Sequence, residues 1–491
     1  MQKRRPEITL TIIRSRRDTG SGLDPQGPDG GEIMKLSFTE KTSYGVGALG
    51  KDMACGIVNT FLMFYFTDVV GLAPAFLGVL FMVARIWDAV NDPMAGWLID
   101  NTRSHIGKFR PWILAGTLSN TLVLIVLFSN PGIRGAGQYV FYSVIYILWG
   151  MTYTLEDISY WSMIPALADT ESERNTISVI PRVFAAFGNI AVGSLGLALV
   201  SAFGKVAPGA LPTQAQQSRG FFWLAVLIGV VFVITNTVTV LFVKEKVVVR
   251  NEKKFRFRDI FTTISQNDQL VVIVAAMTLY TLAINLTASL GLYWFKYDVG
   301  DERMYGTFYL TAGAQVLAML VFPLFAKVLS RRRVFIVSAL LPILGYVSLY
   351  IVGKTLGNNI AMMAIAGVVL FFGFGFSLVL TSVMLADAVD YGEWKLGSRS
   401  ESIVFSMQTF MVKFAMAIAG LVTGVGLAAF GFVANAEQSA ASLTGIRVLM
   451  FGVPIALLLA SLAIYLKGYR LNGAYFQNIK DELEKRRAAN A

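Results

Sequence analysis

Cysteine and histidine are almost missing from this chain of 491 residues, which holds one of each, Cys55 and His105. A single cysteine excludes an intrachain disulfide, and a single histidine leaves little room for a histidine-ligated metal centre or a Ser-His hydrolase. His105 falls in a basic loop and reads as a solvated residue. Charge is scarce too: Asp, Glu, Lys and Arg make up 15% of the chain, where a water-facing surface carries about a quarter. Most of this surface therefore faces something other than water. The first 33 residues, basic and then rich in Gly and Pro, contain no apolar stretch of signal-peptide length. Residues 1–37 read as a disordered cytoplasmic extension.

What fills the chain is apolar: 55% of residues are hydrophobic and the mean hydropathy is +0.60. A bilayer core about 30 Å thick needs about 20 predominantly apolar helical residues, and twelve such runs can be read. They lie at about 42–67, 73–99, 111–130, 138–166, 177–203, 218–243, 267–296, 304–328, 334–353, 358–386, 403–432 and 445–467. The longest polar break, 244–266, divides them into an N-terminal bundle (38–243) and a C-terminal bundle (267–470), followed by a cytoplasmic tail at 471–491.

Lys and Arg concentrate in the breaks after runs 2, 6 and 8, as in Arg103, Lys108 and Arg110, the basic central loop, and Lys327 with Arg331, Arg332 and Arg333. By the positive-inside rule both termini and the central loop are cytoplasmic. The net charge of +11 then reports basic loops beside anionic lipid, and nucleic acid is not an expected partner. AGWLIDNTRSHIGKFRPW after run 2 and FAKVLSRRRVF after run 8 echo each other weakly across the halves. The expected fold is an all-α membrane protein of twelve transmembrane helices in two six-helix halves, the architecture of the major facilitator transporters.

The stretch GVGALGKD at 45–52 fits both G-x-G-x-x-G and G-x-x-x-x-G-K. A phosphate loop needs a strand before it and a helix after it, and here a short polar segment leads into a long apolar run, with Asp52 where Mg²⁺ would require Ser or Thr. These glycines read as close-packing positions at the start of helix 1.

Ionisable groups at helix depth cost a few kcal/mol and are kept mostly where they meet a partner or a water-filled cavity. The runs hold Lys51, Asp52, Arg85, Asp88, Asp92, Glu156, Asp157, Arg182 and Lys413. In RIWDAVNDPMAGW, Asp88 and Asp92 are four apart and Asn91 adjoins them, so three oxygen-bearing side chains share or border one helix face. Such a set suits a hard cation such as Na⁺, or else an ion-pair network with Arg85, Arg182 or Lys413. In WGMTYTLEDISYW, Tyr153, Asp157 and Trp161 repeat every fourth residue. A carboxylate between aromatic faces suits a sugar, and it equally suits an aromatic packing stripe with a salt-bridged Asp. The charged stretch at 390–402 reads as a cytoplasmic charge network that helps to close one state of the transport cycle.

YGVGALGKDMACGIV, TDVVGL, ARIWDAVNDPMAGW, TRSHIGKFRPWIL, YILWGMTYTLEDISYW and VDYGEWKLGSRSESIVFSMQTFMVK, in this order from about Lys35 to about residue 475, closely resemble the glycoside-pentoside-hexuronide:cation symporters. The resemblance implies that Lys51, Asp52, Tyr153, Asp157, Trp161, Arg182 and Lys413 serve sugar binding. It implies that Asp88, Asn91, Asp92 and Thr154 form the coupling-ion site, with Asn91 contributing to ion selectivity. Three departures, Asn59 for a pocket tyrosine, Glu156 for an apolar residue and Ser159 for a proline, bear on which sugar is carried.

The implied activity is uptake of a sugar, an α-galactoside such as melibiose leading, coupled to Na⁺, with Li⁺ or H⁺ as alternative ions. A pentoside or glucuronide carrier, or a membrane-embedded enzyme, is the rival. No cofactor and no covalent chemistry are expected. The partners implied are the sugar, a monovalent cation and membrane lipid, for a monomer in a bacterial inner membrane.

Overall fold

The computed structural model describes residues 36–167, 171–208, 210–245, 265–356, 359–397 and 401–490, and these are helices and connecting turns with no strand among them. In chain order the long helices are α1 (Phe38–Val70), α2 (Pro74–Asp100), α3 (Arg110–Leu127), α4 (Ala136–Ser162), α5 (Glu171–Phe203) and α6 (Gln214–Phe242). The second half holds α7 (Asp268–Val299), α8 (Arg303–Val328), α9 (Arg331–Thr355), α10 (Ile360–Leu396), α11 (Glu401–Ala429) and α12 (Ala440–Gly468), and α13 (Gly473–Asn490) follows. Eleven of these stretches are long and apolar enough to cross a membrane. The twelfth, α4, has the length at 27 residues and packs among the others, but TYTLEDISYWS lowers its hydropathy.

Local sequence sets the helix ends. Ser37 and Glu40 form a capping box that satisfies the first amides of α1. At their far ends α1 and α7 both widen into a π-turn, YFTDVV and WFKYDV, and both stop at a glycine with positive φ, Gly71 at +87° and Gly300 at +89°. Non-glycine residues disfavour that conformation, so glycine ends both helices.

The packing repeats between halves. α1 packs on α5 and α6 as α7 packs on α11 and α12; α4 lies on α2 and α3 as α10 lies on α8 and α9. The halves meet through α2 against α11 and α5 against α8, the same contact made twice. Small residues permit the close approaches. A Cβ on Gly45 would meet Phe184 and Ile180 of α5, one on Gly50 would lie 2.9 Å from Phe232 Cα of α6, and one on Gly78 of α2 would lie 3.0 Å from Leu421 O of α11. The glycines of GVGALGKD are packing positions, as read from sequence.

Burial runs opposite to that of a water-soluble helix. α2 leaves Val79, Val83, Ile86, Val90, Met94 and Trp97 exposed along one stripe and turns Ala84, Asp88, Asn91 and Ala95 inward. That is the pattern of a helix with lipid on one side and a polar interior on the other.

Two stretches outside the apolar runs are helical. Asp390 to Leu396 continues α10, which ends at Gly397 with φ +70°. Its charges join the same half: Glu393 pairs with Arg487 at 2.5 Å and Lys395 with Asp268. The C-terminal tail is the docked helix α13, with Phe476, Ile479 and Leu483 buried and Trp394 Nε1 donating to Glu482 at 2.7 Å. The network therefore anchors α13. Arg399 and most of the basic central loop lie outside the described residues.

Candidate functional site

Lys51 is the centre of the N-terminal half's polar interior. Its side chain is 3% exposed and its Nζ donates to Asp157 Oδ1 at 2.5 Å and to Tyr153 Oη at 3.1 Å. Three rings surround the ammonium, Tyr153 at 5.3 Å, Trp161 at 5.4 Å and Tyr160 at 5.8 Å from their centroids. Cation–π attraction and one short charged hydrogen bond together offset its desolvation. Trp161 Nε1 donates to the same Asp157 oxygen at 3.1 Å. Asp52 Oδ2 stands 3.8 Å from Lys51 Nζ. Asp157 is 34% and Asp52 21% exposed at the side chain, so two carboxylates and aromatic faces border an accessible space around a buried cation. That arrangement can bind a neutral polyhydroxyl compound: carboxylates accept from hydroxyls, and rings cover its C–H face.

The aromatic stripe of α4 divides its work. Tyr146, Trp149 and Tyr153 stack in sequence with centroids 6.0 and 5.4 Å apart, which is helix packing. One to two turns further on, Trp161 and Asp157 turn to Lys51. Tyr153 belongs to both groups, stacking on Trp149 and accepting from Lys51, so the structure realises an aromatic packing stripe with a salt-bridged Asp157.

The helix 2 carboxylates also have partners. Arg85 Nη1 donates to Asp88 Oδ2 at 2.8 Å, one turn away on the same helix. Asp92 accepts from Thr154 Oγ1 of α4 at 3.2 Å and forms an ion pair with Lys413 of α11. The three residues Asp92, Thr154 and Lys413 join three helices and both halves. Asn91 is buried, and its Nδ2 has no partner among the described residues. No three His, Cys, Asp or Glu side chains converge among those residues. In this arrangement the ion-pair reading of RIWDAVNDPMAGW is realised through Arg85 and Lys413. Arg182, on α5, is exposed and pairs with none of the cluster.

Glu156 lies at the α3–α4 contact, where a Cβ on Gly116 would come within 2.8 Å of its Cβ. It is fully buried with neither carboxyl oxygen hydrogen-bonded, so it offers no surface to the space around Lys51.

Sequence reasoning missed a second cluster, where α1 and α7 end. Asp68, fully buried on α1, takes Lys296 Nζ of α7 at 2.7 Å and the Tyr297 hydroxyl. Asn435, from the turn after α11, donates its Nδ2 to the Asp68 carbonyl at 2.5 Å and its backbone N–H to Tyr297 Oη at 2.9 Å. Thr67 and Tyr293 hydroxyls meet at 2.7 Å, and Gln217 of α6 donates to Glu302 at 3.4 Å. Every one of these contacts except that of Asn435 with Tyr297 crosses between halves. The available signal was Asp68 itself, an acid closing an apolar run, with Lys296 at the matching place in the second half.

Compared with known proteins, residues 43–473 match the family model described as MFS/sugar transport protein. The isoprimeverose transporter of Lactiplantibacillus pentosus is 31% identical over 421 residues, covering 86% of each chain. The lactose permease of Lactobacillus helveticus is 28% identical over 481 residues, 93% of this chain and 73% of that one. The crystal structure of a D-xylose-proton symporter superposes with a TM-score of 0.62 over 87% of this chain and 97% of its own, at 12% identity, a likeness of fold.

Proposed function

The chain belongs to the MFS/sugar transport protein family, a transporter and not an enzyme, and from that premise we propose that it is a cation-coupled glycoside symporter. The observation that carries this is Lys51 held between Asp157 and aromatic rings with Asp52 beside it. Lys51, Asp52, Tyr153, Asp157 and Trp161 bind the sugar, with Lys413 between the two sites and Arg182 closing in from α5. The like charge of Asp52 and Asp157 disfavours a glycuronide and favours a neutral glycoside.

The coupling ion binds at Asp88 and Asp92 with Thr154 and Asn91. Lys413 and Arg85 neutralise these carboxylates when it is absent, and Na⁺ (or Li⁺ or H⁺) replaces Lys413 at Asp92. Because Thr154 and Asp157 lie three residues apart on α4, an ion that fixes Thr154 also fixes the sugar carboxylate. Ion and sugar then raise each other's affinity by one factor, and rocking of the halves exposes the shared site to each side in turn. The protein is placed in a bacterial inner membrane as a monomer with both termini cytoplasmic, so that the Asp68 cluster closes the outer face.

The substrate read from the family resemblance is an α-galactoside such as melibiose, the sugar of the melibiose permease. The relative named for isoprimeverose supports a pentose-containing glycoside as a second reading. Uptake of labelled melibiose, lactose, isoprimeverose and a glucuronide into membrane vesicles under imposed Na⁺, Li⁺ or H⁺ gradients tests both. A neutral glycoside driven by a cation gradient is expected; if no gradient drives any sugar, the symporter reading fails.

A further inference from the structure

Asp52 does not sit where a simple ion pair would put it. Although adjacent in sequence to a buried ammonium, its Oδ2 stays 3.8 Å from Lys51 Nζ, outside hydrogen-bond range. Asn189 of α5 holds it instead. Asn189 Nδ2 donates to Asp52 Oδ1 at 3.2 Å and to the Ala185 carbonyl, one turn back, also at 3.2 Å. Both amide hydrogens are in use, so the amide cannot rotate without losing one bond. Its other atom is seated by a missing side chain: a Cβ on Gly56 would lie 2.8 Å from Asn189 Oδ1. The notch in α1 that receives Asn189 exists because residue 56 is glycine.

We propose that Asn189 is a positioning residue for sugar recognition, which draws Asp52 off Lys51 and leaves Asp52 Oδ2 aimed at the bound glycoside as a hydroxyl acceptor. The inference rests on the symporter reading above. Lys51 already donates to Asp157 and Tyr153; its third hydrogen would capture Asp52 if nothing competed, and the site would lose an acceptor. A neutral amide suits this task better than a second cation, because it orients the carboxylate without neutralising it. It also implies that the glycoside offers Asp52 a neutral hydroxyl, since an anionic group there would meet two carboxylates, Asp52 and Asp157, that share a single ammonium.

The test compares the unaltered chain with Asn189→Ala and Gly56→Ala in membrane vesicles, using the glycoside that the gradient experiment selects. Losing one hydrogen bond to a charged group raises the sugar concentration for half-maximal uptake about tenfold. The maximal rate and the cation concentration for half-stimulation stay within about twofold. Gly56→Ala, which pushes on Asn189 without removing it, moves the same quantity in the same direction and decides the matter if Asn189→Ala is not retained in the membrane. An unchanged sugar requirement in both variants, or an equal rise in the cation requirement, overturns the proposal alone. Absence of any glycoside uptake by the unaltered chain overturns the symporter reading and this inference with it.

Discussion

Lys51 and Asp157 form one ion pair, but the two ends of it live in different media. Lys51 is 3% exposed at the side chain and Asp157 is 34% exposed. Removing one member of a buried pair strands the other, at a cost of about 3–5 kcal/mol when the survivor stays buried and of about 1 kcal/mol or less when water reaches it. Asp157→Ala therefore lowers thermal stability in detergent far more than Lys51→Ala, because it takes away the ammonium's close carboxylate and leaves it Asp52 at 3.8 Å, the Tyr153 hydroxyl and the rings. The double variant recovers most of the difference. With the sugar bound at this pair as proposed, both single variants lose sugar uptake by at least about a hundredfold, since each removes a charged contact with it. Equal losses of stability would mean that Asp157 is as enclosed as Lys51.

Helix contacts within a half and between halves use the same small residues but answer to different processes. Gly50 faces Phe232 backbone inside the N-terminal half, and Gly78 faces Leu421 and Gly424 across the α2–α11 seam. Gly50→Val overpacks a permanent contact, costs about 1–3 kcal/mol and lowers the unfolding temperature. Gly424→Val wedges apart a contact that transport must break anyway, so stability changes little while the outer face opens. Thiol labelling of Asn59→Cys from outside, in a Cys55→Ser chain, rises for Gly424→Val and not for Gly50→Val. Labelling that is equal in the two variants would place the seam outside the moving contacts. These elements were mostly legible in the sequence, because lipid leaves a run of about 20 apolar residues no fold but a helix. Helix α4 shows where legibility thins: its polar residues depress the hydropathy signal and are the same ones that surround Lys51. Periodicity placed Asp88 and Asp92 on one helix, and what it left open was their partners. Arg85 is three residues away, but Lys413 lies 321 residues on, and no local pattern encodes such a pairing. Asn189 was illegible for a related reason, being an ordinary amide until the gap at Gly56 gives it a seat.

At the scale of the whole molecule, the bonds between halves gather where α1 and α7 end, so the structure is the state closed on that side. Lys296→Ala removes the ammonium donated to buried Asp68 and frees the halves there; external labelling of Asn59→Cys rises severalfold, and the swap of Asp68→Lys with Lys296→Asp restores closure in part. Glu302 makes this lock responsive to pH. Burial pushes its carboxyl above the ordinary 4.5, the nearby Lys296 ammonium pulling against that shift, and Gln217 donates to it from the other half. A carboxyl with a raised value in the closed state binds its proton more tightly there than when opening hydrates it. The contribution to closure is thus complete below the open-state value and declines as pH rises through the closed-state value. Raising the external pH through this range increases external labelling of Asn59→Cys, and Glu302→Gln, which keeps the shape and removes the titration, stays closed and flattens the profile. A profile that survives in Glu302→Gln would move the pH response to another group.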